Sequence, residues 1–458
     1  MKRISQVLVA NRGEIAVRII RACKDLGIKT VLAVSQADRE SLAARMADRT
    51  VCIGSARPAD SYLKTESVVA AALGTGSQAI HPGYGFLSEQ AQLPEACARF
   101  GLVFIGPTAD NIRKMGDKDL ARRIARDAGV PTIPGSEVVS NCDEAIRAAE
   151  KVGYPVLLKA AGGGGGRGIV IAADPMGIKG KFDIASSEAI AAFGDGRLYV
   201  EHYFANCRHI EVQVLGDHLG HIVHLGERDC SLQRRYQKVL EEAPSPVVTP
   251  ELRELAASMA LAVGRSIQYE SVGTVEFIFD LDRQRFYFME MNTRIQVEHP
   301  VTEMVTGVDL VKEQILIADG NPVRLSQADV KVSGHSIECR INAESPEAEF
   351  RPCSGRITDW AVPVGAGIRV DSHCYPGYLV PPYYDSLIAK VITVGDSRRQ
   401  AIERMKYALG NFTVSGVPTT IPLHQALLDD SDFIDARVNT KWLEASFMPV
   451  HPFSGAAA

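Results

Sequence analysis

The residues best suited to chemistry sit on two apolar segments close together in the chain. One reads Gly273-Thr274-Val275-Glu276-Phe277-Ile278-Phe279 and the other Phe286-Tyr287-Phe288-Met289-Glu290-Met291-Asn292, with a polar turn at residues 280–285 between them. This pattern predicts an antiparallel hairpin. Centred near Arg283, the hairpin sets Glu276 opposite Glu290, and the two-residue period brings Asn292 to the same face as Glu290. Like charges across a ladder repel, and ionised carboxylates among Phe and Ile are costly to desolvate unless a cation compensates. Oxygen-only ligands suit Mg2+ or Mn2+, above all where nucleotide phosphates complete the octahedron. The plainer alternative is a pair of solvated glutamates at a strand edge.

Directly after the hairpin comes Thr293-Arg294-Ile295-Gln296-Val297-Glu298-His299-Pro300, and a helix is predicted from Pro300 to near Gly320. Arg294 offers a planar fork for a small carboxylate or carbonate, and Glu298 is of the right type for a general base. Equally, Glu298 could be an acid favoured by the helix dipole. Further upstream, five glycines at residues 162–166, followed by Arg167 and Gly168, lie between apolar strands, with Lys159 just before them. Glycines allow close backbone approach to phosphate oxygens, and Lys159 adds a point charge; the alternative is a flexible loop. The charged run at residues 227–238 reads as a solvated loop. In Ser336-Ile337-Glu338-Cys339-Arg340-Ile341-Asn342 the alternation turns Ile337, Cys339 and Ile341 inward and sets Glu338, Arg340 and Asn342 on the other face. Spacing leaves open whether Arg340 is a surface residue or an active-site cation.

These residues need a scaffold of several units, because 458 residues exceed one ordinary core. An apolar strand at 7–10, a helix at 15–26 and a strand at 30–34 form a β-α-β opening. Short strands at 79–80 and 103–105 extend it as a parallel, doubly wound sheet to about residue 110. The first turn, Asn11-Arg12-Gly13-Glu14, lacks the G-x-G-x-x-G of a dinucleotide site. A second unit carries the Asp117-Lys118 pair, a turn at 131–135 and a strand at 156–160. Within it Gly177 and Gly180 predict an irregular stretch at 176–183 where a helix would otherwise run. A third, smaller α+β unit begins near Lys331, with strands at 337–342 and 387–394 and a helix at 397–409.

Composition narrows the function classes. Hydrophobic residues make up 46% and charged residues 23%, an ordinary globular balance, with no apolar stretch long enough for a membrane span. The net charge of -5 is spread along the chain, so neither nucleic acid nor membrane is expected as a partner. The start shows no secretory leader, and the expected location is cytoplasmic. Nine scattered cysteines without a C-x-x-C pair predict reduced thiols rather than a zinc site or disulfides.

Taken in order, Met115-Gly116-Asp117-Lys118, Lys159 with the glycine run, residues 227–238, the eleven-residue run 290–300 and residues 338–343 resemble the biotin carboxylase family of the ATP-grasp superfamily. The resemblance covers nearly the whole chain. It implies an α/β and α+β fold: an N-terminal Rossmann-like (pre-ATP-grasp) domain over 1–112, an ATP-grasp domain over 113–330 with a mobile glycine-rich lid at about 131–203, and a C-terminal mixed α+β domain over 331–446. It further implies that Lys118, Lys159, Gly165, Gly166 and His209 meet the nucleotide and its phosphates, and that adenine lies near Glu201, His202, Tyr203 and Phe204. Glu276, Glu290 and Asn292 would be metal ligands, agreeing with the hairpin reading, with Mg2+ or Mn2+, as two ions with ATP. Lys238, Arg294, Gln296 and Val297 would hold bicarbonate. Glu298 would be the base that deprotonates it, and Arg340 would bind biotin and stabilise its enolate.

Tyr236 stands where the family usually has a histidine near the nucleotide, and the irregular stretch at 176–183 falls where the family has a regular lid helix. His202 replaces a common lysine. The Met-Lys-Met biotin-attachment signature is absent, since Met405-Lys406-Tyr407 falls in a predicted helix. The resemblance therefore implies a separate biotin carboxyl carrier protein and carboxyltransferase subunits as partners, and a homodimer. The first half-reaction of an acyl-CoA carboxylase, such as acetyl-CoA carboxylase, is the expected activity. The alternatives are a catalytically weak nucleotide-binding paralogue and an ATP-grasp ligase for another carboxylate.

Overall fold

The N-terminal strands β1 (Gln6–Val9), β2 (Lys29–Ser35), β3 (Arg49–Gly54), β4 (Ala79–His81) and β5 (Val103–Phe104) pair in parallel in the order β3-β2-β1-β4-β5. Val7, Leu8 and Val9 are completely buried, as strands of a parallel sheet covered on both faces must be. The order is that of a doubly wound sheet, and β3 is the strand that sequence patterning missed. This computed structural model describes residues 4–160 and 169–451. The glycine run, including Gly165 and Gly166, lies outside the described residues.

A small second sheet contains β6 (Gly135–Val139), β7 (Val156–Ala160), β8 (Ile169–Ala172) and β9 (Leu198–His202) in the antiparallel order β6-β9-β7-β8. The helix Pro175–Phe193 packs on it, so the expectation of an irregular stretch at 176–183 is wrong. Asp174 caps this helix by accepting from Gly177 N at 2.8 Å, Pro175 occupies the first turn, and Ile178, Phe182, Ala185 and Ala189 are buried in the core beneath. Each glycine costs a helix about 1 kcal/mol. Burying this apolar stripe outweighs that cost.

The third sheet is an antiparallel one of eight strands and forms the body of the molecule. It contains β10 (Cys207–Gly216), β11 (Ile222–Arg234), β12 (Gln237–Ala243), β13 (Ser271–Asp280), β14 (Arg285–Asn292) and β15 (His335–Asn342), joined by the strands Leu387–Gly395 and Ile368–Ser372. The order runs β14-β13-β10-β11-β12-β15 and then Leu387–Gly395 and Ile368–Ser372. The unit predicted to begin near Lys331 therefore adds strands to the same sheet.

Two more expectations are corrected here. Residues 227–238 are not a solvated loop: most belong to β11 and β12, and Arg228, Asp229, Cys230 and Ser231 are buried. Their charges are paired inside the sheet, with Arg228 Nε donating to Glu211 at 2.6 Å and Arg208 Nη1 to Asp229 at 3.0 Å. The single helix predicted from Pro300 is two, His299–Thr306 and Leu310–Ala318. Gly307 takes the left-handed conformation (φ 73°) that ends the first, and Asp309 accepts from Lys312 N to cap the second.

Candidate active site

β13 and β14 pair as their alternation predicts: Glu276 faces Glu290, Thr274 faces Asn292, and a bulge follows Glu276. Glu276 is the most heavily bonded carboxylate of the site. Its Oε1 accepts from Asn292 Nδ2 at 2.7 Å, Gln296 Nε2 at 2.8 Å and Lys238 Nζ at 3.2 Å, and its Oε2 lies 3.0 Å from His209 Nε2. Burial pushes this carboxyl up, but Lys238 and His209 outweigh it and hold Glu276 below the usual carboxylate range. Glu290 goes the other way: burial, and then Glu276 opposite, raise it, with Lys118 opposing. In Glu276 the protein cations outweigh burial, and in Glu290 burial and the facing carboxylate outweigh Lys118 and His209. The donor set of two carboxylates and an amide oxygen fits a hard divalent cation. Asn292 Oδ1 accepts from Arg294 Nη2 at 2.9 Å and has a second lone pair available.

Lys238, on β12, joins the carboxylates of three other segments. Its Nζ donates to Glu211 on β10 at 2.6 Å and to Glu298 at 2.5 Å, besides Glu276 on β13. Desolvation opposes its charge, but Cys230, Glu211, Glu276 and Glu298 hold it protonated. Glu298 is fully buried, and its other oxygen, Oε2, accepts from Arg340 Nη2 at 2.9 Å. Burial raises the Glu298 carboxyl; Lys238, with Arg340 and Arg228, overrides this and keeps it below its ordinary range. Arg294 donates from Nε to Glu89 at 2.8 Å and from Nη1 to Gln296 Oε1 at 3.2 Å. Lys390 fixes the backbone of this loop by donating to Val297 O at 2.8 Å.

At the far end, Lys159 and Arg122 both donate to Glu201, at 2.6 and 2.8 Å. The Glu201 side chain thus orients two cations. His202 Nδ1 lies 3.0 Å from Gly153 O, and Phe204 packs edge-on to His202 and tilted on Tyr287. Tyr236, at the tip of the β11–β12 hairpin, is 63% exposed and, like Arg235, has a positive φ. Lys118 begins the helix Lys118–Asp127, which Asp117 caps.

All the described residues expected of the site, from Lys118 to Arg340, line one cleft of about 2220 Å3. Sequence reading missed Glu211, Gln233, Glu241, Glu89 and Lys441. Gln233 Nε2 lies 2.8 Å from His209 Nδ1; Lys441 Nζ sits 3.3 Å from the Tyr203 ring centroid and donates to Phe204 O at 2.7 Å. Glu211 carried a signal as a charge within the apolar run of β10, and Gln233 by lying inside the 227–238 motif.

Models of the biotin carboxylase N-terminal domain, the carbamoyl-phosphate synthase L chain ATP-binding domain and the biotin carboxylase C-terminal domain match residues 3–112, 117–326 and 338–445. Biotin carboxylase 1 of Bacillus subtilis is 53% identical over 442 residues, spanning 96% of this chain and 98% of that protein. Biotin carboxylase of Haemophilus influenzae is 51% identical over 443 residues, spanning 96% and 98%. The biotin carboxylase domain dimer of Hydrogenobacter thermophilus 2-oxoglutarate carboxylase, solved with MgADP, ADP and bicarbonate, superimposes with a TM-score of 0.93 at 49% identity over 100% of both chains. With half of its residues shared across almost the full length of such relatives, and three family models laid end to end along it, this chain belongs to the biotin carboxylase family.

Proposed function

We propose that this chain is a ligase that uses ATP and bicarbonate to carboxylate biotin presented by a carrier protein, through carboxyphosphate. The observation that carries the reading is Glu298, fully buried and held between Lys238 at 2.5 Å and Arg340 at 2.9 Å on the wall of the cleft. Two cations keep this carboxylate ionised at rest. Bicarbonate, an anion, competes with Glu298 for Lys238 while Arg294, Gln296 and the Val297 backbone orient it. As Lys238 turns to the substrate, the proton affinity of Glu298 rises and it takes the bicarbonate proton. The carbonate oxygen then bonds to the γ-phosphorus as the bond to ADP breaks. Carboxyphosphate splits to CO2 and phosphate, the phosphate removes the N1' proton of biotin, and N1' attacks CO2 while Arg340 balances the enolate oxygen.

Lys118 and Lys159 offset the charge of the phosphates, which His209, Gly165 and Gly166 also meet. Glu201, His202, Tyr203 and Phe204 hold the adenine end, with Tyr236 near the nucleotide. Glu276, Glu290 and Asn292 would hold Mg2+ or Mn2+, which when bound with ATP offsets charge on the transferring phosphoryl group. Closure of the lid, at about 131–203, keeps water from carboxyphosphate. We further propose a homodimer working in the cytoplasm with a biotin carboxyl carrier protein and carboxyltransferase subunits. A dimeric relative supports the first point, and nine free cysteines support a reducing compartment.

The test is ADP release by the purified chain with Mg-ATP, with and without bicarbonate and free biotin, beside Glu298→Gln. Turnover should require bicarbonate, rise with biotin, and fall about 10²–10⁴-fold in the variant. ATP cleavage indifferent to bicarbonate would sink the proposal in favour of another ATP-grasp substrate, and nucleotide binding with no turnover would favour a silent paralogue.

A further inference from the structure

Arg340 bridges two carboxylates, and only one of them has a part in the chemistry proposed above. Its Nε donates to Glu241 Oε1 at 2.6 Å and its Nη2 lies 2.5 Å from the same oxygen, while Nη2 also donates to Glu298 Oε2 at 2.9 Å. Glu241, on β12, is fully buried and, unlike Glu298 and Arg340, does not line the cleft. Its second oxygen has no hydrogen-bond partner among the described residues, nor has either oxygen of Glu338, which faces it in register across β12 and β15. Three buried acids thus surround one guanidinium. Burial is the main reason that the Glu241 carboxyl is pushed up to about 7; Arg340 opposes this, and the negative charge of Glu298 adds to it. Glu241 and Glu298 therefore compete for a single cation.

The competition changes when Glu298 acts. On taking a proton from bicarbonate, Glu298 becomes neutral, and its contact with Arg340 weakens from an ion pair to an ordinary hydrogen bond. The claim of Glu241 on Arg340 strengthens at the same moment, because a neighbouring negative charge has gone. We propose that Glu241 is the pivot of a handover: it anchors Arg340 through Nε while the Nη2 arm passes from Glu298 to the oxygen of biotin as Glu298 takes up the proton of bicarbonate. The proton moves from the bicarbonate hydroxyl to Glu298, the carbonate oxygen bonds to phosphorus as ADP leaves, and Arg340 changes hydrogen-bond partner without gaining or losing a proton. Deprotonation of bicarbonate and readiness for biotin become a single event, so the arginine is released to the acceptor only after the carboxyl donor has begun to form. Glu241 is a positioning residue in this scheme, acting through Arg340. The inference rests on the biotin carboxylase reading of the same cleft.

The experiment compares Glu241→Gln with the unaltered chain at pH 8, where the Glu241 carboxyl is mostly ionised, measuring ADP release at saturating Mg-ATP and bicarbonate over a series of free biotin concentrations. Without its charged anchor, Arg340 stays with Glu298. The increment in rate caused by biotin should then fall about tenfold, at least five times further than the rate without biotin. Glutamine matches glutamate in size and keeps an oxygen that can accept from Arg340 Nε, which favours folding of the variant. Glu241→Asp keeps the charge but draws it back by one methylene, and should recover part of the biotin increment; it carries the comparison if Glu241→Gln shows no cooperative thermal transition. Equal loss of both rates, or a biotin increment that survives in Glu241→Gln and Glu241→Asp alike, overturns the handover. An unaltered chain whose ADP release ignores bicarbonate overturns the underlying reading instead, so the two failures are distinct.

Discussion

Lys238 carries more of the site than one positive charge suggests, because it draws Glu211, Glu276 and Glu298 from three segments to within 3.2 Å of a single nitrogen. Glu276 and Glu290 were legible as a facing pair because they lie 14 residues apart on one hairpin, where a period of two is enough. Glu211, Arg228 and Glu241 were not, since each takes its meaning from a partner on a strand whose register no local pattern encodes. At the other end of the cleft, Tyr236 is a largely exposed phenol, and a phenol stays neutral throughout the physiological range. A histidine there gains charge below about pH 6.5. Tyr236→His is therefore expected to lower the KM for ATP progressively between pH 8 and pH 6 relative to the unaltered chain. Parallel pH profiles for the two proteins would show that position 236 does not sense the phosphates.

The helix Pro175–Phe193 shows how packing overrides propensity within one element. Two glycines made residues 176–183 read as broken, yet the buried stripe of Ile178, Phe182, Ala185 and Ala189 keeps a regular helix. Gly180 is exposed, has an ordinary helical φ, and a Cβ added there meets nothing within 4 Å. Gly180→Ala should therefore stabilise the element by about 0.5–1 kcal/mol and slow amide exchange across it by about two- to fivefold. Unchanged or faster exchange would mean that the helix already draws on contacts which the alanine disturbs. The break at Gly307 is the converse case: apolar periodicity runs on through residues 300–320, but a left-handed glycine and the Asp309 cap divide it.

In the whole molecule, chain order and mechanical units differ. The eight-stranded sheet runs from β14 through β12 into β15 and the strands Leu387–Gly395 and Ile368–Ser372, so the wall bearing Glu276 and the wall bearing Arg340 belong to one hydrogen-bonded structure. Leu232 and Leu240 are buried in the same core as Ile337, Cys339 and Val391, which ties the two regions further. Three buried histidines, spread from the N-terminal sheet to the C-terminal region, give this assembly a shared response to acid. Burial lowers His81 and His373 to about 3 and His424 to about 4, from 6.5. They are neutral in the folded state and protonate on unfolding, so the stability they support is complete above pH 6.5 and is lost progressively as pH falls from there toward the folded values. At pH 5 the loss is about 2 kcal/mol for each imidazole. The thermal midpoint should drop between pH 7 and pH 5, and a flat midpoint across that interval would contradict neutral burial of these rings.

Short-range order was readable without coordinates: the β-α-β opening, the acid-bearing hairpin, the division of β15 into an apolar and a polar face, and the motifs that mark the family. Each rests on periodicity or spacing within a few tens of residues, where covalent connection already limits the geometry. The pairing of Arg340 with Glu241 and Glu298, the burial of the charges on β11 and the single sheet beneath the site became visible only when segments up to 99 residues apart were brought into register. Buried charges read as solvated in a sequence because their compensating partners are distant in it, and in the fold those partners are what allow the charges to be buried at all.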